Sequence, residues 1–137
     1  MWKTYALLAA FFAALTAIFS KVGVRDIDSN LATSIRVSCI LALTWGIAIA
    51  TGAVKGIREI SGGTMLFLVL SAITTGLSWL FYFKALSIGD VSKVAPIDKL
   101  SVAITIALAV LFLHEPADLK TIVGGALITL GAIVLAL

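Results

Sequence analysis

Five charged side chains fall inside otherwise apolar stretches of this chain: Lys21, Arg36, Lys84, Asp98 and Lys99. Arg36 and Lys99 are the residue types that hold a carboxylate or phosphate, Arg36 through two parallel N–H bonds. Asp98 is the only acid among the five, and two roles fit it: a salt bridge to Arg36 or Lys99, and a substrate- or proton-binding role that a bridge would not exclude. At about 100° per residue of helix, Asp98, Ser101 and Thr105 share one face with Ala109, and Lys99 is turned about a quarter of a circle away. Ser71, Thr74, Thr75, Ser78 and Tyr82 form a second polar stripe at the same spacing. Together the two stripes could line a path for a small molecule, which Thr16 and Ser20 would extend. Trp79, Phe81, Tyr82 and Phe83 fit an aromatic wall against a ligand, and equally an interfacial belt. Cys39 and His114 are each the only residue of their type, so no disulfide forms within the chain and no zinc-ligand set is present. No nucleophile, base and orienting residue converge on one site, so neither an enzyme nor a cofactor is expected.

The elements that position these residues follow from composition. The 137 residues are 61% hydrophobic and 12% charged, with mean hydropathy +1.18. That is more apolar side chain than a soluble domain of this size can bury, so the chain reads as an all-α polytopic membrane protein. A spanning helix needs roughly 20 apolar residues, and five such stretches occur: about Trp2–Ser20, Leu31–Thr51, Thr64–Ile88, Val94–Leu113 and Leu119–Leu137. All are helices, because open sheet edges cannot be satisfied in lipid. The connections are short, so a single transmembrane domain over residues 1–137 is expected, with sequential helices antiparallel. The N-terminal run lacks a convincing small-residue cleavage site and reads as an uncleaved first span. Net charge is +3, but the cations are scattered singly between apolar segments, so no nucleic-acid partner is expected.

A charge at membrane depth costs about 2.5–3.5 kcal/mol on insertion scales unless it reaches the interface or a partner. Lys21 and Lys84 lie within about a turn of their span ends and read as snorkelling side chains. Arg36 and Lys99 are deeper. All five charges lie toward the side of the first and third connections, which points to a water-filled vestibule on that side. Laying Ser29–Ser38, "SNLATSIRVS", over Ser92–Ser101, "SKVAPIDKLS", aligns Ser, Ala and Ser and sets Arg36 over Lys99, as in a degenerate parallel repeat. Pro96 is placed in the first turn of its helix, where a missing N–H costs little. Ser34, Ser38, Ala42, Gly46 and Ala50 make a small-residue stripe on the second span, and Gly124, Gly125 and Gly131 another on the fifth; each suits packing within one subunit or between two.

The stretch Ser87–Glu115, with the Gly89 turn, the Val94–Pro96 helix start and Glu115 closing the span, followed by "IVGGALITLGAIVLAL" from Ile122, resembles the EamA domain of the drug/metabolite transporter superfamily. With "DSNLATSIRV" and "IDKLS", the whole chain is similar to its single-domain, five-span bacterial/archaeal group. The resemblance implies half of a ten-helix fold whose inverted halves enclose the substrate path, and hence an antiparallel homodimer. Related small multidrug resistance proteins use a Glu in their first helix; the first span here has no acid, so that role does not carry over. Lys3, Lys55, Arg58 and Lys120 on the N-terminal side face Arg25 and Lys93 on the other, a mild positive-inside bias compatible with dual topology.

The resulting expectation is a multi-pass protein of the cell inner (plasma) membrane. It would transport small anionic or zwitterionic metabolites by alternating access, with Arg36, Asp98, Lys99, Ser101, Thr105, Ser78, Tyr82 and Trp79 as candidate substrate-binding residues. The alternatives are a translocase for a lipid-linked anionic intermediate and a non-transporting membrane assembly subunit.

Overall fold

A computed structural model describes residues 1–137. The chain is all-α: α1 (Trp2–Gly23), α2 (Ser29–Ala50), a 3₁₀ helix (Ala53–Glu59), α3 (Gly62–Ile88), α4 (Val91–Asp98), α5 (Ser101–Phe112) and α6 (Leu119–Ala136). Five segments are long and apolar enough to cross a membrane: α1, α2, α3, Val91–Phe112 and α6. Polar side chains fix their starts. Asp28 accepts from the Asn30 and Leu31 N–H groups at 2.9 and 3.2 Å, so it caps α2. Ser61 accepts from Thr64 N at 3.1 Å. Asp118 accepts from the Thr121 N–H and hydroxyl at 2.8 and 2.5 Å.

The fourth span departs from the expected continuous helix. It is split after Asp98, and across the junction Lys99 N donates to Pro96 O, Leu100 N to Ile97 O and Val102 N to Lys99 O, each at 2.9 Å. These are three-residue bonds of the tighter 3₁₀ kind. Because α4 begins at Val91, Pro96 is an interior residue and not a first-turn one. It withdraws the N–H that would reach the Ser92 carbonyl and crowds that carbonyl, so the helix cannot continue undistorted.

The chain forms two compact units, Phe19–Ser87 and Met1–Ile18 with Ile88–Leu137. In the first, the buried residues are Ser20, Val24, Ser29, Ala32, Thr33, Phe83 and Leu86. They lie in the last turns of α1 and α3, at Val24 just after α1, and at the beginning of α2. Much of the rest of this unit is exposed: α3 from Gly62 to Thr75 has no covered residue, as suits surface that lipid covers. In the second unit, α6 packs on α4 and α5. Its contact with α5 depends on Gly125, where an added Cβ would come within 2.6 Å of Ile106 Cδ1. Beside this contact lies an apolar groove of about 990 Å³ between α5 and α6. At the end of α5 the chain reverses through His114, whose φ of 55° is the left-handed conformation usually given to glycine, and Glu115 N then reaches Ala109 O.

Candidate functional site

Within the unit Phe19–Ser87 the structure brings Arg36 of α2 onto the aromatic face of α3. The guanidinium carbon lies 4.3 Å from the Trp79 ring centroid and 5.3 Å from that of Phe83. Trp79, Tyr82 and Phe83 are spaced i, i+3, i+4, which places them on one side of α3. The depths agree. Arg36 is seven residues into α2, roughly 10 Å along its axis, while Phe83 and Trp79 are five and nine residues from the end of α3, roughly 7.5 and 13.5 Å. Phe81, on another side of the helix, is 75% exposed.

The physical content of this contact is a guanidinium held by π-electron density in place of an acid. No carboxylate lies within ion-pair distance of Arg36. A cation over an aromatic face gains about 0.5–2 kcal/mol, more as it is desolvated, which offsets part of the burial cost. An Arg engaged through a ring face keeps its planar N–H fork for a second partner, and a carboxylate or phosphate matches that fork.

In the other unit, Asp98 pairs with its neighbour Lys99, Oδ2 to Nζ at 3.2 Å, and both side chains are substantially exposed. The pair occupies the junction between α4 and α5. Ser101 and Thr105, both exposed, follow on α5. The 100° spacing that put Asp98 on their face does not run through the junction, because the helix is interrupted between Asp98 and Ser101. Ser78 is exposed on α3, and in the same stripe Thr74 donates its hydroxyl back to Leu70 O and Ser71 O.

Sequence reasoning missed two contacts. Phe83 is the second ring beside Arg36, and the i, i+4 spacing with Trp79 was the available signal. From sequence Lys21 reads as snorkelling, yet its Nζ donates to Leu86 O at 2.7 Å. That carbonyl belongs to the last turn of α3, where carbonyls lack helical partners and the dipole end is negative. The last turn of α3 has no basic residue of its own, so α1 supplies the cation.

The sequence pattern of the EamA-like transporter family matches residues 1–137. The chain belongs to that family. An uncharacterized transporter in the cobO 3′ region of Sinorhizobium sp. is 50% identical over 135 residues, covering 98% of this chain and 96% of the relative. An uncharacterized protein of Methanocaldococcus jannaschii is 35% identical over 71 residues, about half of each chain. No solved structure matches the chain. Five spanning helices and this membership make the EamA-like protein a multi-pass membrane transporter.

Proposed function

We propose that this EamA-like transporter carries small anionic or zwitterionic metabolites across the inner (plasma) membrane by alternating access, as an antiparallel homodimer. The observation that carries the reading is Arg36: a cation roughly 10 Å inside a span, held by Trp79 and Phe83 without an acid to neutralise it. The ligand supplies the missing negative charge. Asp98 and Lys99 provide one further charge of each sign at the α4–α5 junction, which suits a zwitterion. Support for a dimer comes from the α2 stripe, where Ser34, Ser38 and Gly46 are exposed and nothing lies within 4 Å of a Cβ added at Gly46.

Counterflow in proteoliposomes, with a panel of radiolabelled carboxylates and phosphate esters, tests the reading. Arg36→Gln is expected to lower anion flux about 10- to 100-fold, the loss of a charged hydrogen-bonding partner. Arg36→Lys keeps the charge without the planar fork and is expected to fall between. Unchanged flux in correctly folded Arg36→Gln protein would remove Arg36 from the substrate path.

A further inference from the structure

The connection between α2 and α3 is itself an ordered amphipathic element. Gly52, with φ at 75°, turns the chain out of α2, and Ala53–Glu59 then forms a 3₁₀ helix. With three residues per turn, positions three apart eclipse one another. Lys55 and Arg58 therefore stack as one stripe and Val54 and Ile57 as the next, while the only acid of the segment, Glu59, falls on the third stripe with Gly56. Val54, Lys55, Ile57 and Arg58 together line a surface depression of about 490 Å³. Lys55, Ile57 and Arg58 are exposed, and no carboxylate stands within ion-pair distance of either cation.

Location gives this pattern its meaning. The segment joins the end of one membrane-spanning helix, Ala50, to the start of the next, Gly62, so it is confined to the plane where bilayer meets water. An apolar stripe beside a basic stripe at that level puts Val54 and Ile57 against acyl chains and the two cations among the head groups.

We infer that Lys55 and Arg58 form a binding site for the phosphate of an anionic phospholipid, with Val54 and Ile57 contacting the lipid's glycerol and first acyl carbons. A soluble phosphate would engage the same two cations, but it would gain nothing from the apolar stripe. Two cations three residues apart on one 3₁₀ turn, lining the same depression as Val54 and Ile57, also distinguish this site from the diffuse attraction of scattered basic loops.

The test is native mass spectrometry of the purified full-length protein with equal amounts of dioleoylphosphatidylglycerol and dioleoylphosphatidylcholine. The wild-type protein is expected to retain the phosphatidylglycerol in preference. Lys55→Gln/Arg58→Gln is expected to weaken that retention about 30-fold, and each single variant to weaken it partly. Arg25→Gln and Lys93→Gln, which neutralise cations in other connections, should leave it unchanged, and far-ultraviolet circular dichroism should show the same helix content throughout. Equal retention of the two lipids, or undiminished phosphatidylglycerol binding by the double variant, would overturn the site. Complete displacement of the lipid by excess inorganic phosphate would overturn the assignment to lipid, because it would show that the apolar stripe contributes nothing.

Discussion

Three of the four cations that enter the apolar part of this chain solve the same electrostatic problem by different contacts. Arg36 uses the Trp79 and Phe83 rings, Lys99 uses the adjacent Asp98 carboxylate, and Lys21 uses the Leu86 carbonyl at the end of α3. The Lys21 contact should be structural. Lys21→Met keeps the apolar stem and removes the ammonium, so it is expected to lower stability by about 1.5–3 kcal/mol, the range for a hydrogen bond involving a charged group. Thermal unfolding in detergent measures this, and Lys21→Arg should recover most of the loss. Outside the membrane, Asp118 caps α6. The hydrogen bond from the Thr121 hydroxyl, reinforced by the Thr121 N–H, holds its carboxyl below the usual carboxylate range. A carboxyl that is more acidic in the folded state stabilises the fold above its unfolded pKa and loses that contribution as the pH falls through the folded value. As the pH falls below the usual carboxylate range, acid unfolding is therefore expected to be less steep in Asp118→Asn than in the wild type. A pH titration followed by circular dichroism would show it.

Among the elements, existence and composition were readable from apolar runs, whereas continuity was not. The fourth span reads as one helix because hydropathy does not register a lost N–H. Pro96 becomes an interior residue only when the helix is seen to start at Val91, with Asp90 at its N-cap, within the stretch that reads as a turn in sequence. The glycines of the final span were legible as a small surface, but not which of them meets a neighbour. Of Gly124, Gly125 and Gly131, only Gly125 has a neighbour within reach of an added Cβ. Gly125→Ala is expected to destabilise by about 1–3 kcal/mol through overpacking. Ile106→Val, which removes the Cδ1 atom, should relieve most of that in the double variant. A double-mutant cycle on unfolding free energies checks this, and strict additivity would show that the two side chains do not meet.

At the scale of the whole molecule, much of α2 and α3 is exposed apolar surface that must meet lipid or a second copy. For an antiparallel dimer, cysteines placed at Lys3 and Lys55 in a Cys39→Ser background should each label from both sides of intact cells; labelling from one side only would exclude dual topology. The sequence by itself determined that this is an all-α membrane protein with five spans, because helix length and hydropathy are local quantities matched to bilayer thickness. It also identified Arg36, Asp98 and Lys99 as charges requiring partners, because residue type alone sets the cost of burying them. Only the tertiary structure decided what Arg36 and Lys21 contact, because Trp79, Phe83 and Leu86 are far along the chain. Tertiary structure also showed which glycine admits a close approach, since that depends on the one side chain opposite it. In the unit Phe19–Ser87 the buried residues gather at the end that carries the first connection, while Arg25–Asp28 of that connection stay exposed. Charge density along a sequence marks where polar groups gather, and packing determines whether water reaches them.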